Sequence, residues 1–356
     1  MGNIKKKDAT ASILRVLAML MIVLCHTIEM YPIPHAREIG PLLGLGVEVF
    51  LLISGYLYGM KTIQNTKQWL LRSYLKIWLP MFFVAVMWFF IFGITKYQAN
   101  PWCVFIYLFD LQGLGWIHEA LTPPQWAGVS YCWFLTIIFI CYCLVPLLQR
   151  IRKTIVAHPW LFFVGAVAVS YLAGLAKIRF AYFCAFIIGY TIGACRQAEK
   201  PLLSGKIGRQ CLVSAAFFAG TAALFIVANK GFHSSNFYIF SCWPNLGCGL
   251  AVFLFCAVSF FTQKFQRLTQ KIVQNKVFCF AERIAFSVYL LHVQFFQRSF
   301  DLFGRIENLA LATVVFLVLL ILFSALFTFV DTRVQAYVGK CIAKIGKKPQ
   351  KSKTTV

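Results

Sequence analysis

Ten apolar runs punctuate the chain, at about 12–31, 39–60, 76–95, 131–148, 158–176, 179–195, 211–229, 237–262, 283–299 and 308–330. A helix of about 18 apolar residues or more is long enough to cross a hydrocarbon core of roughly 30 Å. Hydrophobic residues make up 60% of the 356, far more than a water-soluble core of this size requires. The expected fold is therefore all-α, a polytopic transmembrane helix bundle of about ten spans. The sixth run is short. The ninth carries enough polar residues that a place among other helices suits it better than one facing lipid.

The formal net charge of +23 would suggest nucleic acid in a soluble protein, but the location of the charge excludes it. With the N-terminus inside, the cytoplasmic segments hold 25 of the 34 Lys and Arg, and the opposite loops hold 7. Arg15 and Arg283 sit at span edges. This positive-inside asymmetry supports an even number of spans with both termini cytoplasmic, and no nucleic-acid partner. The chain divides into a cytoplasmic lead (1–11), a transmembrane domain (12–332) and a basic cytoplasmic tail (333–356). No small-residue cleavage site follows the first run, so it reads as a retained helix rather than a signal peptide.

The thirteen cysteines are scattered and form no CxxC pair; Cys141 and Cys143 are the closest. They read as small buried residues, and no metal site is expected. The long outer connection, Tyr97 to Ser130, carries Trp102, Trp116, His118, Glu119, Trp126 and the pair Pro123, Pro124. It fits an interfacial cap or re-entrant segment, or alternatively a lid over an acceptor.

Ionisable groups at membrane depth are costly unless paired or facing a wet cavity, so each is a candidate for function. They are His26, Glu29, Glu48, His292 and Asp331, with Arg15 at the edge. In RVLAMLMIVLCH (15–26) the eleven-residue step from Arg15 to His26 turns a helix through about 1100°, three turns plus about 20°, and rises about 16.5 Å. The two therefore share one face. Glu29 follows three residues later, near enough to orient or charge His26. Cys25 diverges by about 100° and reads as packing. His26 itself either bridges helices or acts chemically.

The spacing R-x10-H at Arg15 and His26 is followed by GVEVFLLISGYLYG (46–59) and RSYLKIWLP (72–80). Then come WFLTIIFICYCLVPLL (133–148), AFIIGYTIG (185–193), FSVYLLH (286–292) and FTFVDTRV (327–334). In this order the segments resemble the acyltransferase-3 family of integral membrane O-acyltransferases, over nearly the whole chain. The resemblance implies transfer of an acyl group, commonly acetyl from acetyl-CoA, to a hydroxyl of a cell-surface polysaccharide or its lipid-linked precursor. It also implies a multi-pass cell-membrane location, in a bacterial plasma membrane. The family's essential histidine corresponds to His26, and its arginine to Arg15.

Arg72 and Lys76, one turn apart at the cytoplasmic mouth, either anchor the helix or contact the phosphates of CoA. Relatives often carry a further basic residue at the Ser73 position and an arginine at that of Lys76. Glu48 and Ser54 are candidates for substrate contact, while Gly55 and the pair Gly189, Gly193 suit close helix packing. His292 suits site lining or a structural hydrogen bond. Asp331 is either solvated or paired with Arg15 or Arg72. The chain ends soon after its last span, so no appended esterase-like domain is expected. The membrane domain then completes the transfer alone or hands over to a separate extracytoplasmic protein. The competing reading is a transporter of glycan precursors or lipids, which would favour inverted repeats and broken helices at matching positions.

Overall fold

The computed structural model describes residues 7–28, 35–88, 105–106, 108–114, 132–176, 180–200, 207–232, 238–295 and 302–345. The described residues are almost entirely helical and contain no strand. In chain order the helices are α1 (Ala9–Ile28), α2 (Ala36–Gly44), α3 (Gly46–Gly59), α4 (Thr66–Trp88), α5 (Trp133–Arg150), α6 (Arg152–Ala157) and α7 (Pro159–Leu175). They continue with α8 (Ala181–Gln197), α9 (Ile207–Phe232), α10 (Trp243–Lys264), α11 (Gln266–Gln274), α12 (Lys276–Leu291), α13 (Leu302–Arg305) and α14 (Leu309–Ile345).

Seven of the described helical stretches are long and apolar enough to cross a membrane, and α7 is a shorter apolar helix. The sixth run is short, as expected, and forms the 17-residue α8. The ninth forms the 16-residue α12, whose C-terminal half is buried from Ile284 to Leu291 except for Phe286. Its Ser287, Tyr289 and His292 are thus carried inside the bundle.

Three details depart from an uninterrupted run. The second run breaks at Leu45 into α2 and α3, and α2 contains Pro41, whose missing N–H weakens the helix. The eighth opens with a π turn, Tyr238–Cys242, ahead of Pro244. The tenth is one helix of 37 residues, about 55 Å at 1.5 Å per residue. It outreaches the bilayer and continues without interruption through residues 332 and 333.

The tightest seam joins α3 to α8. A Cβ at Gly55 would run into the Phe186 carbonyl and one at Gly59 into that of Tyr190. In return, a Cβ at Gly189 would strike the Leu52 carbonyl and one at Gly193 that of Tyr56. Two small-xxx-small pairs therefore mesh, backbone to backbone, along helices running the same way. The start of α3 packs in turn on α1, where a Cβ at Gly46 would lie 2.8 Å from the Ala18 carbonyl.

Polar side chains tie the remaining helices across the apolar interior. Thr10 and Thr262 join α1 to α10 at 2.9 Å, Ser170 and Asn245 join α7 to α10 at 2.7 Å, and Ser287 and Thr328 join α12 to α14 at 2.6 Å. At the N-terminal end of α1, Asp8 Oδ1 accepts from the Ala11 N–H at 3.1 Å and caps the helix. Its Oδ2 accepts from Tyr56 Oη on α3 at 2.7 Å and pairs with Arg196 on α8 at 3.5 Å. One carboxylate thus fixes the end of α1 against the glycine seam.

Candidate active site

The face shared by Arg15 and His26 meets α12. Arg15 Nη1 donates to Glu282 Oε1 at 2.8 Å, and Lys7 pairs with the other oxygen of the same carboxylate. Glu282 is buried, its side chain only 5% exposed, while that of Arg15 is 37% exposed. About three turns further on, the rings of His26 and His292 face each other with centroids 5.2 Å apart and planes inclined by 36°. The partners lie eleven residues apart on α1 and ten apart across α12 and its end. Steps of about 16.5 and 15 Å match only if the helices run in the same direction. The result is a two-rung ladder, an ion pair below and an imidazole pair above.

His292 is fully buried and opens the short 3₁₀ turn His292–Phe295 that ends α12. Its Nδ1 lies 2.7 Å from the Tyr289 carbonyl oxygen. A carbonyl only accepts, so Nδ1 carries the proton and Nε2 the lone pair. Tyr289 also stands beside the His292 ring, with centroids 6.0 Å apart, and meets Phe134 of α5 edge to face at 5.7 Å. Cys25 turns away from this face, as its phase predicts, and packs 3.5 Å from where a Cβ would stand on Gly44. Glu29 lies outside the described residues.

Of the other expected site residues, Glu48 is buried in the first turn of α3, where a carboxylate suits the helix dipole. It fills a notch in α10: a Cβ at Gly247 would stand 2.5 Å from Glu48 Cδ. Ser54, six residues on and about 120° away around the helix, lies instead beside Tyr142 of α5. Tyr142 meets Tyr58 edge to face, with ring centroids 4.9 Å apart, and Ser73 of α4 lies beside Tyr58. Ser73 is buried beside this contact between α3 and α5. Arg72 and Lys76 are both exposed on one face of α4.

Asp331 pairs differently from either expected partner. It is half-buried, accepts from Gln335 Nε2 at 3.2 Å and has Lys76 as its charged neighbour. Gln335 also donates to the Leu75 carbonyl at 3.3 Å, tying α14 to α4. The carboxylate that Arg15 finds is Glu282. A sequence signal for it exists, since Glu282 precedes His292 by nearly the step that separates Arg15 from His26.

A second group missed in the sequence is Asp110, in the connection between α4 and α5. It is buried, with its backbone in the left-handed region at φ 54°. Its Oδ1 accepts from Gln112 Nε2 at 2.7 Å and from Thr136 Oγ1 at 3.2 Å, while Thr136 also accepts from the Gly113 N–H at 2.9 Å. Trp78 Nε1 donates to the Leu108 carbonyl at 2.6 Å, which holds the same turn against α4. Part of the expected cap is therefore seated in the protein next to the bundle. The tryptophans at 102, 116 and 126, with His118 and Glu119, lie outside the described residues.

Among the described residues no donor reaches Asp110 Oδ2 or Gln112 Oε1. A proton on Oδ2 would supply one, and burial pushes the Asp110 carboxyl up to about 7 despite the hydrogen bonds from Gln112 and Thr136. The folded protein then holds a proton that the unfolded chain has lost, so stability falls as pH rises from about 4 to about 7. The cost is on the order of 4 kcal/mol. Asp110→Asn should therefore raise thermal stability at pH 8 far more than at pH 4. Melting in detergent at both values checks this, and equal shifts would contradict it.

The arrangement defines a class: an all-α, multi-pass membrane protein with a paired imidazole inside its bundle and a partly buried ion pair registering the two helices that carry it. Residues 10–329 match the family model of an acyltransferase domain, nearly the whole chain. The chain belongs to this family, and it is an acyltransferase that moves groups other than aminoacyl groups. No curated protein and no solved structure matches it.

Proposed function

We propose that the protein is a membrane O-acetyltransferase, moving acetyl from acetyl-CoA to a hydroxyl of a cell-surface polysaccharide or its lipid-linked precursor, with His26 as general base. The observation that carries this reading is the His26–His292 pair, with His292 fully and His26 partly buried within the acyltransferase domain, registered by Arg15 and Glu282. A sugar hydroxyl is a poor nucleophile near neutral pH. A positioned neutral imidazole takes its proton as the oxygen attacks the thioester carbonyl, and returns that proton to the departing CoA sulfur. No metal enters these steps. The partners are acyl-CoA, the carbohydrate acceptor and membrane lipids, with a separate extracytoplasmic protein where the acetyl group is handed on. Mass spectrometry of the host's surface glycan, with and without this gene, tests the reading: loss of an acetyl mass supports it, and an unchanged glycan contradicts it.

The donor enters from the cytoplasm in this scheme. Arg72, whose guanidinium matches a phosphate in bidentate fashion, is its first contact. Lys76 already has Asp331 beside it. Arg72→Ala should raise the apparent KM for acetyl-CoA by an amount equivalent to roughly 1.5–3 kcal/mol, with Lys76→Ala weaker and the acceptor KM unchanged. Equal losses for donor and acceptor, or failed insertion, would make these residues anchors.

Both termini face the cytoplasm in this scheme. In a background without native cysteines, Gln350→Cys and Thr122→Cys should label from opposite sides of the membrane. Labelling from the same side contradicts that topology.

A further inference from the structure

We infer that the corner formed by α10, α11 and α12 is a docking site for an anionic phospholipid of the cytoplasmic leaflet, its phosphate held by Arg267 and Lys271 and its acyl chains lying on the exposed apolar side chains beside them. From residue 264 to residue 276 the chain carries four cations, Lys264, Arg267, Lys271 and Lys276, and no Asp or Glu. All four are exposed. The corner lies at the same end of the bundle as the start of α1, because Thr262 bonds Thr10 and Glu282 pairs with Lys7. The inference takes the name of the leaflet from the topology proposed above and nothing from the acetyl-transfer reading.

At about 100° per residue α11 has three sides. Thr269 and Val273 are buried toward the bundle. Leu268 and Ile272 fall about 100° further round, and there Leu268 is 50% exposed. Arg267 and Lys271 fall about 100° beyond them, one turn apart. This order of bundle, apolar and cationic sides is that of a helix lying in the membrane interface. Exposed apolar residues continue the middle character at both ends of α11, Phe265 before it and Val277 and Phe280 after it. Lys264 keeps its charge next to them, with Nζ 5.6 Å from the ring centroids of Phe260 and Phe265.

The array is set before any lipid arrives. Thr269 Oγ1 donates to the Phe265 carbonyl at 3.0 Å, and Asn275 Oδ1 caps α12 by accepting from the Val277 N–H at 2.8 Å. Between these two points α11 packs on α1, α10 and α12. Side chains one turn apart on a helix are neighbours, so a single phosphate can meet both Arg267, through its bidentate fork, and Lys271. A soluble phosphate would satisfy the cations alone, whereas a phospholipid also covers the apolar side. Four cations disfavour a zwitterionic headgroup, whose own cation they repel. The positive-inside rule accounts for cations at this end of the bundle, but it asks for no apolar side next to them on one helix.

The test follows melting of the full chain in detergent during titration with dioleoylphosphatidylglycerol, with dioleoylphosphatidylcholine and inorganic phosphate as parallel arms. Phosphatidylglycerol should raise the melting temperature saturably, as a ligand of the folded state does, and the other two should not. In Arg267→Gln/Lys271→Gln the midpoint of the titration should move up by about 30-fold, roughly fivefold for each charge lost. Arg150→Gln/Lys153→Gln removes two exposed cations elsewhere and should leave the midpoint within about twofold of wild type. Equal shifts in the two double variants overturn the inference, because charge would then act without a site. Phosphatidylcholine as effective as phosphatidylglycerol overturns it by removing headgroup selection, and inorganic phosphate as effective overturns it in favour of a soluble-anion site. Should Arg267→Gln/Lys271→Gln not accumulate, Lys271→Gln alone should move the midpoint about fivefold, and an unmoved midpoint there overturns the inference equally.

Discussion

Gly189→Leu is expected to leave almost no correctly assembled protein in the membrane. At this position the obstacle is the Leu52 backbone carbonyl, so no side chain can rotate to make room. The opposing Gly55 meets the Phe186 carbonyl in the same way, which means that α3 and α8 must separate along the whole seam. Ordinary overpacking costs about 1–3 kcal/mol because side chains and backbone share the strain, and here the backbone must take all of it. A domain has only about 5–15 kcal/mol of stability to lose. The control is Gly220→Leu on α9, where nothing lies within 4 Å of an added Cβ. Yield of monodisperse protein and melting temperature in detergent should collapse for Gly189→Leu and stay near wild type for Gly220→Leu. Similar behaviour of the two would show that the seam is looser than its geometry implies.

His26→Ala is expected to reduce acyl transfer by about 10²–10⁴-fold, the usual worth of a general base, with membrane abundance and binding of acetyl-CoA retained. Retention follows from position. His26 is partly buried on the upper rung of the ladder, whereas α1 is anchored by Asp8, Thr10 and Arg15, each about three turns or more away. Arg15→Ala should behave differently, because it strands the buried Glu282 with Lys7 as its remaining cationic partner. Breaking a buried pair from one side costs about 3–5 kcal/mol, discounted here because Arg15 is more than a third exposed. The loss should therefore fall on stability as well as on rate. Equal stability of the two variants would contradict this division between chemistry and register.

Much of this arrangement is legible in the residues alone. The eleven-residue step from Arg15 to His26 defines their common face, and the structure directs that face at a single helix. The GxxxG of Gly189 and Gly193 signals close packing, and its partner is the glycine pair of the ISGY segment. Glu282 is hidden for a physical reason: with Arg283 beside it at the edge of an apolar run, it looks like a solvated interfacial charge, and only tertiary packing buries it. Asp110 is concealed because its connection is dominated by tryptophans, which speak for an interface and say nothing of a carboxylate folded inward. The break at Leu45 carries no hydropathy signal, since apolar residues continue across it. Asp331 was readable as a charge at a helix exit, but its neighbours Gln335 and Lys76 depend on α14 extending beyond the membrane.

The most direct measurement is transfer of labelled acetyl from acetyl-CoA to the surface glycan in membranes carrying wild type or His26→Gln at matched abundance. Glutamine donates and accepts hydrogen bonds much as imidazole does, so it preserves a bridge between helices, yet it cannot accept a proton at neutral pH. The expected result is label on the glycan with wild type and almost none with His26→Gln. Substantial labelling by the Gln variant would contradict the role of His26 as general base.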